Sequence, residues 1–239
     1  MVGLGTVINE GGILVGGLCG LLFGRRIKSR FREILISAIG LCTLFLGISG
    51  CLEAMLTVES GKLTSSGGMM MVVCMALGGL IGEGINIERH LDRFGEWLKH
   101  RSHSDRENGF VEGFVTTSLT VCVGAMTVVG SIEDGISGDY TLLAIKTALD
   151  FILVMIMTVS FGKGCMFSAL PVLIIQGSIT LLAQSIKPYL TEAALNNLSL
   201  VGSMLIFCVG VNLIRSKTFR VANLLPAILL AIGWAFLPF

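Results

Sequence analysis

Apolar residues run along the chain in eight stretches separated by short polar or charged segments: 4–24, 33–56, 68–87, 110–132, 140–161, 165–186, 194–214 and 220–238. Each approaches the roughly 20 apolar residues that a helix needs to cross the hydrocarbon core of a bilayer. Barrel strands would alternate polar and apolar positions with period two. These stretches do not alternate, so the pattern predicts helices. Only "GKG" (162–164) separates the fifth from the sixth, which predicts a tight hairpin. The expected fold class is all-α, a polytopic membrane helix bundle of about eight transmembrane helices in one integral membrane domain.

Composition agrees. The 239 residues are 53% hydrophobic and 14% charged, where an ordinary soluble domain carries about 25% charge. A net charge of +1 leaves no basic excess to attract nucleic acid, so no nucleic-acid partner is expected. The positive charges are segregated. Arg25, Arg26, Lys28, Arg30 and Arg32 follow the first stretch, and Arg89, Arg93, Lys99, Arg101 and Arg106 follow the third. Lys163 follows the fifth, and Arg215, Lys217 and Arg220 follow the seventh. The alternate segments hold only Lys62 and Lys187. By the positive-inside rule, eight crossings place every rich segment on the cytoplasmic side and both termini outside. The N-terminus lacks a basic n-region, and the first stretch is long enough to remain as a helix, so no cleaved signal is expected.

The chain also repeats itself. "GGLCGLLFGRRIKSRFRE" (16–33) matches "GGLIGEGINIERHLDRFGE" (78–96), and "CVGVNLIRSKTFRVANLL" (208–225) is a weaker third copy. These predict helical hairpins repeated in one orientation near 4–56, 68–132 and 194–238, with a degenerate member at 140–186. Parallel repeats are one of the known transporter plans. Gly12, Gly16, Gly20 and Gly24 recur every fourth residue, and Gly78 and Gly82 do the same. Each glycine costs about 1 kcal/mol in a helix relative to Ala. In lipid, such a stripe is repaid by close backbone packing, within the bundle or between subunits of a homo-oligomer.

Polar residues at membrane depth carry the candidate chemistry. Asn9 and Glu10 open the first stretch, within about two turns of its outer end at about 1.5 Å per residue, where Glu10 is either a candidate site residue or an interfacial carboxylate, which costs little. Lys146 and Asp150 lie four apart in the fifth, hence on one helix face. Either charge alone near mid-membrane costs about 2.5–3.5 kcal/mol on insertion scales. As a pair they can face the interior, as a structural ion pair or as a functional one; alternatively Lys146 snorkels outward. In the sixth stretch Ser168, Gln176, Thr180 and Gln184 form a stripe and Pro171 predicts a kinked or locally unwound helix, which suits a solute path, or the side chains serve as interhelical hydrogen-bond partners. In the fourth, Glu112, Thr116 and Thr120 share a face beside Thr117 and Ser118; hydroxyls there can also bond their own helix carbonyls. Glu83 and Asn86 in the third stretch and Asn212 in the seventh extend this inventory, which suits a site for a small polar solute or ion. Glu53, Glu59, Glu133, Asp134, Asp139 and Glu192 lie on the outer segments. They would form an acidic vestibule that concentrates cations, or simply remain where basic residues are excluded.

The seven cysteines form no CxxC pair and lie almost entirely inside apolar runs, as small packing residues do. The three histidines fall in the polar loop 87–109, without metal-ligand spacing. Neither a metal nor another cofactor is expected.

The segments "GTVINEGGILVGGLCG", "FVEGFVTTSLTVCVGAMTVVGSIEDGISGD", "KTALDF" and "FSALPVLIIQGSITLLA" resemble the YqgA/YdfK family of bacterial inner-membrane proteins, a family of unknown function. The resemblance covers nearly the whole chain. It implies a multi-span plasma-membrane protein with a transport role, and directs interest to Asn9, Glu112, Lys146, Asp150 and Gln176. It brings no substrate, cofactor or catalytic residue.

The leading expectation is a transporter of a small solute or ion, with Asp150 or Glu10 as a proton or cation site. A channel formed by subunits packing through glycine faces, and a scaffold whose basic loop 87–109 docks a partner or anionic lipid, are the alternatives. No phosphate or metal motif appears and no histidine base lies in an apolar stretch, so an enzyme is not expected.

Overall fold

The computed structural model describes residues 2–24, 28–59, 61–105, 107–122, 124–189, 191–215 and 218–237. The chain is almost entirely helical: α1 (Leu4–Gly24), α2 (Ser29–Met55), α3 (Gly68–Ile85), α4 (Ile87–Arg101), α5 (Phe110–Cys122), α6 (Ala125–Ser137), α7 (Thr141–Phe161), α8 (Ala169–Leu181), α9 (Ala183–Ile186), α10 (Glu192–Arg215) and α11 (Pro226–Trp234). A 3₁₀ turn, Lys163–Ser168, leads into α8, and another, Val221–Leu224, leads into α11. Arg25, Arg26, Arg106 and Lys217 of the basic segments lie outside the described residues, as does the last residue of the stretch 220–238.

Among the described residues six helices are long and apolar enough to cross a membrane, and α5 with α6 makes a seventh if the pair, bent by 62°, is one span. The expected count of eight is not established. The last stretch is the shorter apolar helix Val221–Trp234, broken at Leu225 and near 21 Å long at about 1.5 Å per residue, against a core about 30 Å thick.

Three segments depart from the sequence reading. Two short strands form a β-hairpin, β1 (Leu56–Glu59) paired antiparallel with β2 (Lys62–Ser65), in the register Leu56↔Ser65 to Glu59↔Lys62. Gly61 takes a φ of +77° in its turn. The loop 87–109 is largely the helix α4. Leu98 on α4 is buried, and Phe94 lies against Phe114 of α5 at 5.8 Å between ring centroids. Charged residues and histidines fill most other positions of α4, so an amphipathic helix reads as a loop when only mean polarity is weighed. Pro171 sits in the first turn of α8, where its missing N–H costs little, and the tightened backbone lies before it, in the 3₁₀ turn.

The chain divides into two compact units, Met1–Ile39 with Arg89–Cys122 and Met126–Lys187, and Gly40–Glu88 with Val123–Ala125 and Pro188–Phe239. In the first unit α1 lies along α7. Gly12 meets Thr147, Gly16 meets Phe151, Gly20 meets Met155 and Gly24 meets Val159. Both partners advance by four, so the two helices run parallel. A Cβ at Gly16 would stand 2.5 Å from the carbonyl oxygen of Phe151, which is backbone and cannot yield. In the second unit α3 runs antiparallel to α11 and its 3₁₀ turn, with Gly78 against Ala227 and Gly82 against Asn223. The core of this unit joins Ala54, Met70, Cys74, Leu200, Val201, Ala227 and Ala231.

Candidate functional site

Strong helix formers and apolar residues make α7 a regular helix, and its i, i+4 spacing sets Lys146 and Asp150 on one face. Both are buried and they form an ion pair. The Lys146 Nζ also donates to the carbonyl oxygen of Val121 at 2.9 Å. Val121 lies in the last turn of α5, just before the bend into α6. The last carbonyls of a helix have no partner within it and form the negative end of its dipole. At membrane depth such groups must be satisfied by protein. The ammonium does this at the break.

The network continues onto α1 and α8. The Asn9 Nδ2 donates to Asp150 Oδ2 and to Gln176 Oε1, each at 3.3 Å. One turn along, the hydroxyls of Thr6 and Thr180 are 3.3 Å apart. The carboxylate accepts only, so it selects the donor end of Asn9; that donor in turn selects the acceptor end of Gln176. Two groups are then left over in fully buried side chains. Among the described residues the Asn9 Oδ1 and Gln176 Nε2 have no hydrogen-bond partner, and both residues are 0% exposed. An unmade hydrogen bond in such a place costs about 1–3 kcal/mol. One acceptor and one donor therefore stand ready beside a buried ion pair.

Of the residues singled out in the sequence, the structure brings Asn9, Lys146, Asp150 and Gln176 together, with Thr180 one turn away. Glu10 borders them: it is half-buried, and its Oε1 is enclosed without a partner among the described residues. Glu112 stands apart, exposed in the first turn of α5. The Thr120 hydroxyl donates to the carbonyl of Thr116 at 2.8 Å, so those two satisfy their own helix. Thr117 is buried beside the Cys165 thiol. Gly12, Gly16, Gly20 and Gly24 are covered by α7 of the same chain, and Gly78 and Gly82 by the α11 segment.

The wider polar inventory is corrected. Glu83 pairs with Arg220 and accepts from Asn223 Nδ2 at 2.7 Å. Asn86 closes α3 with a φ of 58°. Asn212 Nδ2 donates to the Phe219 carbonyl at 2.7 Å. These side chains fasten helix ends in the second unit and take no part in the network. Asp134 does not line a vestibule either: it is 0% exposed and accepts from the N–H groups of Gly3 and Gly5 at 3.2 and 3.1 Å. A carboxylate at a helix N-terminus is favourable, and this one anchors the start of α1. The side chain of Glu59 lies outside the described set. Sequence reasoning missed Thr6, the Val121 carbonyl and Asp134 as an anchor. Only the break between α5 and α6, signalled weakly by Gly124, pointed to the second of these.

The family model described as "Protein of unknown function (DUF554)" matches residues 4–236. The chain belongs to the DUF554 family. Among its relatives, "Uncharacterized membrane protein YdfK" of Bacillus subtilis (strain 168) is 31% identical over 226 residues, covering 95% of this chain and 93% of the relative. "Uncharacterized protein YqgA" of Escherichia coli (strain K12) is 30% identical over 232 residues, covering 95% of this chain and 94% of the relative. No solved structure matches the chain. This DUF554 protein is thus a helical membrane protein whose first unit encloses a charged and amide-lined cluster.

Proposed function

We propose that this DUF554 protein is a transporter that carries a small solute or ion through the cluster of Asn9, Lys146, Asp150 and Gln176. The observation that carries the reading is the leftover acceptor and donor, Asn9 Oδ1 and Gln176 Nε2, fully buried beside an ion pair at a broken helix. Broken helices whose ends face a polar centre are the usual binding element of membrane carriers. A cavity of about 490 Å³ at the far end of the α1–α7 seam, lined by Gly24, Arg32, Glu107, Thr158 and Lys163, supports access from the basic side. On the positive-inside rule that side is the cytoplasm of a bacterial cell, the bilayer being the inner membrane.

A repeat read from the sequence would favour a functional role for the polar groups. Aligning "SALPVLIIQG" (168–177) with "NLLPAILLAIG" (223–233) sets Pro171 level with Pro226, and both follow a 3₁₀ turn. The same spacing sets Gln176 level with Ala231, Lys146 with Val201 and Asp150 with Leu205. Aligning 16–33 with 78–96 sets Asn9 level with Met71. Val201, Leu205 and Ala231 are each 0% exposed, and Met71 packs on the same core. The second unit fills these positions with apolar side chains, so the helices do not need a charged pair to pack. The glycine faces are used within the chain, which favours a carrier over a channel assembled through them.

Thermal-shift screening of the purified protein against ions and metabolites tests the proposal, because a ligand stabilises the state it binds. A hit followed by uptake into liposomes, lost in Asp150→Asn, is the expected result. Uptake unchanged in Asp150→Asn would remove the site from the route.

A further inference from the structure

The charges around Asn9 do not balance. Lys146 and Asp150 cancel, and Glu10 remains. The titratable and charged groups that face it are Lys146 and Asp150 on α7 and Cys122 at the end of α5. Lys146 is held by Asp150 and by the Val121 carbonyl. Asp150 already receives two donors on Oδ2, one of them cationic. The Glu10 Oε1 has none. Glu10 is half-buried, and an enclosed carboxylate oxygen that no donor reaches is expensive. A proton removes both defects at once, since it neutralises the group and gives it a donor of its own.

We infer that Glu10 binds and releases a proton as this protein works, while the Lys146–Asp150 pair stays fixed as the brace of the broken helix. The inference rests on the transporter reading for its purpose: a proton arriving at Glu10 changes the charge next to the unfilled Asn9 and Gln176 groups, and so couples solute binding to protonation. The proton comes from water and returns to it, so no other reactant is needed.

Infrared difference spectra of the full-length protein in lipid, recorded across a pH titration, test this directly. A carboxylic-acid carbonyl band should persist after exposed carboxylates have ionised. It should shift when glutamate is isotope-labelled at its side-chain carboxyl, and vanish in Glu10→Gln. Should Glu10→Gln not fold, Glu10→Asp in the labelled background should leave the band without its isotope shift. Absence of the band, or its survival in Glu10→Gln, overturns the inference, and a band that responds to labelled aspartate moves the proton to Asp150. The two readings fail separately: the band without solute uptake leaves the proton site and removes the transporter, and uptake without the band does the reverse.

Discussion

Lys146 serves two partners at once, and the consequences of removing it are therefore asymmetric. Lys146→Val leaves Asp150 buried without its counter-charge and the Val121 carbonyl without a donor. Breaking a buried pair from one side costs about 3–5 kcal/mol. The double variant Lys146→Val with Asp150→Leu, which copies the apolar residues level with them in the second unit, should restore most of that stability while abolishing uptake. Thermal unfolding in detergent checks the first half and the liposome assay the second. A double variant as unstable as the single one would mean that the brace on Val121 outweighs the pair. Outside the membrane, Asp139 gives a pH-dependent case. Its Oδ1 accepts from the Thr141 N–H at 3.0 Å and hydroxyl at 2.6 Å, and these bonds hold its carboxyl below the usual 3.8. A depressed folded-state value means that the stabilisation is complete above the ordinary value and disappears as pH falls through the lower one. Hydrogen-exchange protection of the Thr141 amide should follow that course, and in Asp139→Ala it should be low at every pH.

Packing of α1 on α7 decides whether Asn9 can reach Asp150, so the seam is tested by substitutions on its two sides. Gly16→Ala places a methyl against the Phe151 backbone and forces the helices apart, an overpacking cost of about 1–3 kcal/mol with a matching loss of uptake. Gly11→Ala, where an added Cβ meets nothing within 4 Å, should instead stabilise by up to about 1 kcal/mol through helix propensity. Equal losses in both variants, read by thermal unfolding, would mean that the seam is not what the spacing serves. The stripe Gly12–Gly24 was readable from its period alone, as were Lys146 and Asp150 from theirs, because one-dimensional spacing maps onto a helix face. What joins the faces was not readable. Asn9, Asp150 and Gln176 belong to three helices far apart in sequence, and their union depends on register between them. Thr120 looked like a site residue and bonds its own backbone, and Asp134 looked like a surface acid and caps α1. Local sequence does not distinguish a hydroxyl turned outward from one turned back, nor an acid facing water from one facing a helix end. The hairpin at 56–65 and the helix α4 were missed for a related reason: their apolar residues are few, and they were averaged into polar surroundings.

Parallel packing of α1 and α7 also constrains the path of the whole chain. Two parallel membrane helices are separated by an odd number of crossings. Between α1 and α7 lie α2, α3 and the bent pair α5–α6, since α4 is too charged to cross. If α2 and α3 both cross, this packing predicts that α5–α6 crosses too, the 62° bend then interrupting one span. Single-cysteine labelling in a cysteine-free background makes this measurable. Positions at Gly61 and Gly138 should be reached by an impermeant reagent from one side, and Asp105 from the other. Gly138 labelling together with Asp105 would make α5–α6 re-entrant, and the Lys146–Val121 brace would then sit at the tip of a loop. The last segment is the remaining degree of freedom. The antiparallel contact of α3 with α11 fits a chain that turns back after α10, and because Val221–Trp234 is short for a full crossing, a crossing would need a thinned or shielded part of the bilayer. A reporter fused at Phe239 should read the same side as Gly61. If it reads the side of Asp105, α11 enters the bilayer and stops there, the crossings number seven, and the termini lie on opposite faces of the membrane.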